Sequence, residues 1–321
     1  MRPFLIDTDT ASDDAVAILM ALAAPDVRVL ALTTVAGNVG LEQATRNALY
    51  TAEVAGSDVP VFPGAAAPLT RRHEDAHWFH GRDGFGDRGY PAPRREAERE
   101  HAVDALLRLA HQNPGLTLVT LGPLTNIALA LARDQNFAKN IGRCVVMGGA
   151  PCCEGNVTPA AEYNIWVDPE AARQVFLSPL PVEMVGWHVS RGPSVLTDEE
   201  VADILALGTP RARFAIDCNA RAKEAYFTQT GERGLSLADP TAMAVALDRN
   251  IGLSWSEHYV EIETQSELAR GMTIVDRLNV AEDNNNRGAW REALEAGVKT
   301  DICWTFDAGA YKAMLKRALG P

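Results

Sequence analysis

The feature that most constrains this chain is its N-terminal segment, in which four aspartates directly follow a short apolar run. The run, residues 4–6, is typical of a buried strand, and from Ala15 onward the apolar residues recur at helical spacing. We therefore predict a strand, a tight turn and a helix that Ser12 caps. The aspartates that this unit brings together are Asp7, Asp9, Asp13 and Asp14.

These four carboxylates predict a cation site. Strand alternation puts Asp7 and Asp9 on one face, and Asp13 and Asp14 lie in the first helical turn, where the helix dipole favours anions. Like charges this close raise a pKa or recruit a cation, and oxygen ligands favour calcium or magnesium over zinc. The simpler alternative is that Asp13 and Asp14 only decorate a helix start.

A second alternative is a haloacid-dehalogenase phosphohydrolase, which also begins with a strand ending in Asp-x-Asp. Such an enzyme would use Asp7 as nucleophile together with magnesium. The sequence pattern of those enzymes has Thr or Val at the position where this chain has Ala11. It also has no need for the Asp13-Asp14 pair, so the sequence supports this alternative poorly.

The first two thirds of the chain alternate strand and helix patterns. Strands are predicted at 27–35, 59–62, 116–121, 144–147 and 182–185, and helices at 41–55, 101–112, 124–132 and 169–176. Repeated units of this kind build an α/β fold with a mostly parallel open sheet flanked by helices. The polar stretch 63–96 has the length of a lid or binding loop.

The last third of the chain does not continue the strand-helix alternation. Helices are predicted at 198–207, 211–230, 238–247 and 308–318, and a small antiparallel hairpin at 257–263 and 272–275. No repeat or linker interrupts the chain, so we predict a single domain over residues 1–321.

Composition excludes several classes of partner. With 42 acidic and 30 basic residues the formal net charge is -12, which argues against nucleic acid and anionic membrane surfaces. The five cysteines form no CxxC pair and are expected to be reduced thiols. Without a visible targeting segment or membrane-length apolar stretch, we expect a soluble cytoplasmic protein.

In an open parallel sheet, ligands bind beyond the carboxyl ends of the strands. The polar residues that follow predicted strands or lie in nearby loops are rich in carboxylates and carboxamides. This combination suits a ligand with several hydroxyl groups, such as a sugar. The residues are Asp7, Asp9, Asn38, Leu121, Met147, Asn156, Glu162, Asn164 and His188.

The segment Asp7-Thr-Asp-Thr-Ala-Ser-Asp-Asp-Ala resembles the DxDxxxDD signature of the nucleoside hydrolases, calcium-dependent enzymes that cleave the N-glycosidic bond of ribonucleosides. The resemblance covers essentially the whole chain, because five further motifs follow in the expected order. They are Ala36-Gly-Asn, Leu121-Gly-Pro-Leu-Thr-Asn, Met147-Gly-Gly, Gly155-Asn-Val-Thr-Pro-Ala-Ala-Glu-Tyr-Asn and Ala238-Asp-Pro. It implies the Rossmann-like nucleoside hydrolase fold, a ribonucleoside substrate and a homo-oligomer, either a dimer or a tetramer.

The resemblance also implies roles for individual residues. Asp9, Asp14, Asp239 and the carbonyl of Leu121 would hold Ca2+, and Asp9 would take a proton from a calcium-bound water. Asp7 would orient its neighbours. The residues implied to bind the ribose hydroxyls, with Met147 packing nearby, are Asp13, Asn38, Asn156, Glu162 and Asn164.

One departure concerns the leaving group. Some members have His, and others Trp, where this chain has Ala238. The departing base must then be activated by another residue or leave unaided, and a non-catalytic nucleoside or sugar binder remains an alternative. Local sequence also allows simpler roles, since Asn38 and Asn156 follow glycines as turn residues do, and Met147 could fill the core. Candidates for the base side are Trp78, His80, His188, Tyr226 and Phe227.

Overall fold

The structure is a computed structural model that describes residues 1–283, 285 and 287–321. It contains two sheets. The strands are β1 (Arg2–Thr8), β2 (Val27–Thr34), β3 (Val61–Pro63), β4 (Leu116–Thr120), β5 (Ile141–Met147), β6 (Val182–Val185), β7 (Gly252–His258), β8 (Val260–Ile262), β9 (Thr273–Val275) and β10 (Thr300–Phe306).

The main sheet has eight strands in the order β3-β2-β1-β4-β5-β6-β10-β7. All neighbours are parallel except β10 and β7, which pair antiparallel at one edge. The chain starts in the interior of the sheet at β1, moves outward through β2 and β3, and returns to the other side of β1 as β4. The strand order therefore reverses between β1 and β4, where open α/β sheets form their ligand crevice.

Helices cover both faces of this sheet. They are α1 (Ser12–Ala23), α2 (Leu41–Val54), α3 (His77–His80), α4 (Ala102–Gln112), α5 (Thr125–Arg133), α6 (Tyr163–Val167), α7 (Pro169–Phe176), α8 (Asp198–Leu205), α9 (Pro210–Asp217), α10 (Ala220–Thr230), α11 (Ala238–Leu247), α12 (Arg291–Ala296) and α13 (Ala308–Leu319).

Strand β1 illustrates how the two apolar layers are divided. Its Phe4 and Ile6 pack with α1, α2, α9, α11 and α13, whereas Leu5 packs with α4, α5 and α7 on the opposite face. Because all three side chains are fully buried, the strand is apolar on both sides, as expected for an internal parallel strand.

The predicted mostly parallel sheet is confirmed, and the C-terminal prediction needs correction. The hairpin exists as the shorter pair β8 and β9, whereas β7 and β10 extend the main sheet. The predicted helix 211–230 is two helices, interrupted at Cys218 and Asn219. There the Asn219 amide bonds the carbonyls of Ser12 and Ala215, which ties the break to α1. Among the described residues, no helix combines the length and apolarity needed to cross a membrane.

Candidate active site

Asp9 follows β1 at the point where the strand order reverses, and its carboxylate occupies a slot between two glycines. A Cβ at Gly37 would lie 2.1 Å from Asp9 Oδ2, and one at Gly122 would lie 2.8 Å from Oδ1. The backbone N–H of Asn38 donates to Oδ2 at 2.6 Å. Oδ1 is buried and has no hydrogen-bond partner within the part of the chain that the structure describes.

Three further carboxylates lie together beside this slot. One oxygen each from Asp13, Asp14 and Asp239, at the starts of α1 and α11, lies within 4.8 Å of the others. Burial, reinforced by neighbouring carboxylates, raises the pKa of Asp14 to about 7 and holds the pKa values of Asp9 and Asp239 well above their ordinary range. A cation here would relieve this repulsion, and an all-oxygen donor set fits a hard divalent ion.

The predicted cap of α1 is wrong. Ala11 is the N-cap residue, and its N–H donates to the Asp14 carboxylate at 2.8 Å, while the Thr8 hydroxyl donates to the other Asp14 oxygen. The Ser12 hydroxyl instead lies 2.9 Å from His80 Nδ1. Asp14 therefore fixes the turn and shares the carboxylate cluster.

The prediction that Asp7 joins the converging carboxylates is also wrong. Its Oδ1 accepts hydrogen bonds from the Thr33 hydroxyl and, at 2.8 Å, from the Asn126 amide, so it braces β1 against β2 and α5. Strand β1 ends at Thr8, and Asp9 lies beyond it, where strand alternation no longer applies. Asp239, distant in sequence, takes the fourth position. Asp7 is thus badly placed to be the phosphohydrolase nucleophile.

Helix α6 carries the next part of the site. Glu162 is its N-cap, and its carboxylate accepts the N–H groups of Asn164 and Gly149, each at 2.9 Å. Burial raises the pKa of Glu162 to about 7 even though these bonds oppose the shift. The Asn164 amide donates to the carbonyl of Leu121 at 2.8 Å and to that of Met147 at 3.3 Å. These bonds hold the ends of β4 and β5 against α6.

The cluster opens into a cleft. Eleven predicted site residues line it, and Asp9 and Asp14 are fully buried beside it. The eleven are Asp13, Asn38, Trp78, His80, Leu121, Met147, Asn156, Glu162, Asn164, Tyr226 and Asp239.

The cleft wall also contains residues that sequence reasoning missed. Phe79 and Tyr163 adjoin predicted site residues in the chain, and that adjacency was the available signal. Trp187 precedes His188 in the same way, but no local signal marks Gln229 or Ser236. The unpredicted lining residues are Ala76, Val157, Phe79, Tyr163, Trp187, Gln229 and Ser236.

Aromatic side chains form another part of the cleft lining, the aromatic wall. Trp187 and Tyr226 pack edge to face with centroids 6.3 Å apart, and Trp78, half exposed, stands at the mouth. The Tyr226 hydroxyl donates to Glu232, and burial together with that carboxylate raises the pKa of Tyr226 to about 12. Of the predicted base-side candidates, Phe227 lies outside the cleft lining, 44% exposed.

The two histidine candidates lie in different places, and only His80 of the two lines the cleft. His80 is buried in the cleft wall, and burial lowers its pKa, so its imidazole is neutral at pH 7. His188 is not brought into the cleft, because its Nε2 contacts the carbonyl of Cys303 at 2.9 Å and its ring lies beside Trp304. The position after β6 suggested the crevice, but the 3-10 turn Trp187–Ser190 directs Trp187 there instead.

Comparison with known proteins agrees with this arrangement. A family model described as inosine-uridine preferring nucleoside hydrolase matches residues 4–312. The probable uridine nucleosidase 1 of Oryza sativa subsp. japonica is 36% identical over 319 residues, covering 98% of this chain and 95% of its own.

Solved structures agree over the same span. A plant nucleoside hydrolase, the PpNRh1 enzyme, superposes with a TM-score of 0.91 at 31% identity, covering 99% of this chain and 98% of its own. A purine-preferring ribonucleoside hydrolase from Gardnerella vaginalis gives a TM-score of 0.88 at 30% identity, with the same coverage.

Proposed function

This chain belongs to the inosine-uridine preferring nucleoside hydrolase family, whose members hydrolyse ribonucleosides to base and ribose, and from that premise we propose a calcium-dependent mechanism built on Asp9. The observation that carries the proposal is the Asp9 carboxylate itself. It is buried between two glycine backbones, with Oδ1 unpartnered among the described residues, beside three other carboxylates. A buried anion of this kind is costly unless a cation or a proton compensates it.

The proposed calcium ligands are Asp9, Asp14, Asp239 and the carbonyl oxygen of Leu121. Asp13 also lies within the carboxylate cluster, but it lines the cleft and is only partly buried, so we assign it to the ribose. When bound, calcium supplies a Lewis acid that lowers the pKa of a coordinated water. All four ligand groups are hard oxygen donors, which calcium prefers.

We assign the remaining polar residues of the cleft to the sugar. Their carboxylates and amides line the cleft, so several ribose hydroxyls can be bound at once. The residues are Asp13, Asn38, Asn156, Glu162 and Asn164. These contacts orient the anomeric carbon towards Asp9, which accepts the proton of the attacking water. The carboxylate-rich wall stabilises the positive charge that develops on the sugar ring. Direct attack by water inverts the anomeric configuration.

The base faces the aromatic wall, where Ala238 offers no proton. His80 is the histidine in the lining and is the proposed partner of the departing base. Tyr226 is less suited to protonate a base, because its raised pKa and its bond to Glu232 keep the phenol protonated.

The test is ribose release from uridine, cytidine, inosine, adenosine and nitrophenyl riboside, with calcium and after chelation. We expect release to require calcium and to fall by about 10²–10⁴-fold in Asp9→Asn, the range expected when a general base is removed. The matched control is Asp58→Asn, which neutralises a fully exposed carboxylate and should retain wild-type rates. Release that survives both chelation and Asp9→Asn would contradict the mechanism. Binding of a nucleoside without turnover would favour the non-catalytic binder.

The location and assembly of the protein remain predictions. All five cysteines are free thiols in the structure, which supports a reducing compartment such as the cytoplasm. We infer a dimer or tetramer from the family resemblance, and light scattering of the purified protein would measure its mass.

A further inference from the structure

We propose that Ser12 is a positioning residue, which holds His80 in the tautomer with its proton on Nε2 so that this N–H serves the departing base. The inference rests on the proposed function in one respect, the role of His80 beside the base. The tautomer itself is a property of the free enzyme and can be measured without any substrate.

The contact that carries the inference is between the Ser12 hydroxyl and His80 Nδ1, 2.9 Å apart and both in buried side chains. Ser12 is fixed from its other side as well, because the Asn219 amide donates to its backbone carbonyl at 2.8 Å. Within the described chain, Nδ1 is the acceptor that this hydroxyl reaches. Since a buried hydroxyl proton needs an acceptor, Ser12 donates and Nδ1 accepts.

The position of the ring proton follows. A neutral imidazole carries one N–H, and burial lowers the pKa of His80, so the neutral ring predominates at pH 7. With its lone pair directed at Ser12, Nδ1 cannot carry the proton, which must then be on Nε2. Because His80 lines the cleft, this N–H is available to a ligand there.

The competing tautomer, with the proton on Nδ1, would have Asp13 as its acceptor. Asp13 Oδ1 lies 3.9 Å from His80 Nδ1 and is buried without a hydrogen-bond partner among the residues described. If Nδ1 carried the proton, it could turn to this carboxylate, and His80 would then present a lone pair to the cleft. Ser12 thus has two effects: it keeps a donor on the base side and leaves Asp13 free for the ribose.

The consequence concerns the departing base, which gains electron density as the glycosidic bond breaks. A hydrogen bond from His80 Nε2 would stabilise that density without transfer of the proton. A natural pyrimidine or purine needs this bond, whereas nitrophenolate leaves readily without it. Loss of Ser12 should therefore lower turnover of natural nucleosides more than turnover of nitrophenyl riboside.

The first measurement is ¹⁵N NMR of the histidine side chains in calcium-loaded protein, with the His80 signals identified by their absence from His80→Gln. We expect the Nε2–H pattern in wild type and in Ser12→Thr, which keeps the hydroxyl. Ser12→Ala should show the Nδ1–H form or a mixture. The control is Ser194→Ala, which removes a buried hydroxyl bonded to the Val189 carbonyl and should leave the His80 signals unchanged.

The second measurement is the ratio of kcat/KM for uridine or inosine to that for nitrophenyl riboside. Ser12→Ala should lower this ratio about ten- to a hundredfold, the worth of one hydrogen bond to a developing charge, and Ser12→Thr should restore it. A wild-type Nδ1–H signal overturns the proposal even if Ser12→Ala does not fold. An unchanged ratio in Ser12→Ala overturns the role on the base side. Absence of any hydrolysis by wild type, with the Nε2–H signal present, counts against the proposed function and leaves the tautomer assignment standing.

Discussion

The carbonyl oxygen of Leu121 accepts a 2.8 Å hydrogen bond from the side-chain amide of Asn164. The N–H of the same Leu121 donates to the carbonyl of Asp7, also at 2.8 Å, so the backbone of this residue is held on both sides. Leu121 directly follows β4, and Asn164 belongs to α6. The bond therefore joins a proposed calcium ligand to α6, which carries proposed ribose-binding residues. A change in the position of Asn164 should therefore alter calcium binding at Leu121.

Asn164→Asp tests that connection. The change removes the amide donor and sets an anionic oxygen against the carbonyl oxygens of Leu121 and Met147. A buried acceptor left without its donor costs about 1–3 kcal/mol, so we expect a lower free energy of unfolding and weaker calcium binding. Urea unfolding and calorimetric titration with calcium measure the two effects. Asn140→Asp is the control, since its amide bonds the Asn136 carbonyl outside the cleft. Wild-type calcium affinity in Asn164→Asp would show that Leu121 is not linked in this way.

Gly37→Ala should strongly lower calcium-dependent activity. The added Cβ would lie 2.1 Å from Asp9 Oδ2 and 2.8 Å from Asp9 Cβ, so either the Asp9 side chain or the loop must move. The matched control is Gly40→Ala, three residues later, where a Cβ would meet nothing within 4 Å. We expect Gly40→Ala to keep wild-type rates of ribose release and Gly37→Ala to lose at least about a hundredfold, as general-base displacement would. Equal activity in the two variants would mean that Asp9 need not stay in its slot.

The contrast between these glycines shows where sequence reasoning succeeds. The order of strands and helices was predictable because apolar periodicity is local, and the position of Asp9 followed from the rule for parallel sheets. The need for a glycine at position 37 was not predictable, because it depends on the Asp9 side chain, 28 positions away in the chain. Asp7 was misplaced for a related reason. Strand alternation says which face a side chain shares, but not that β1 stops at Thr8.

The strands at the C-terminal end of the chain were harder to predict, because they too depend on contacts between segments distant in sequence. Strand β10 pairs with β6 on one side and with the edge strand β7 on the other, and such edge pairing leaves little periodic signal in half-exposed strands. On the base side, Gln229 and Ser236 enter the cleft through loop and helix packing alone. The carboxylate side is encoded in one compact motif, whereas the aromatic wall is assembled from distant segments.

Glu162 should make the metal-free protein less stable as the pH rises from 4.5 to 7. Burial raises its pKa in the folded state to about 7 from an ordinary 4.5, so in this window the folded protein holds a proton that the unfolded chain has lost. Stability falls with pH wherever the folded state binds more protons. At about 1.4 kcal/mol per pH unit, the loss is bounded at roughly 3.5 kcal/mol.

The measurement is the free energy of unfolding in urea and chelator at pH 4.5, 6 and 7.5, for wild type and Glu162→Gln. The variant cannot ionise at this position, so the stability of wild type relative to Glu162→Gln should decrease across the window. Chelation keeps calcium binding out of the comparison. A difference between the two proteins that is constant with pH would show that the Glu162 carboxyl titrates normally.

Trp78→Ala should reduce turnover of inosine far more than turnover of nitrophenyl riboside. Trp78 stands half exposed at the mouth of the cleft, packed edge to face on Phe79 with centroids 5.4 Å apart, so its ring is available to stack on a base. Stacking would favour protonation of a purine before it leaves, and nitrophenolate needs no such help. Phe227→Ala is the control, because it removes an aromatic side chain of similar exposure, 44% against 51% for Trp78, from outside the cleft lining. The readout is kcat/KM for both substrates in both variants. Equal losses on the two substrates in Trp78→Ala would show that Trp78 has a structural role in α3 and does not stack on the base. His80 would then be the remaining proposed residue on the base side.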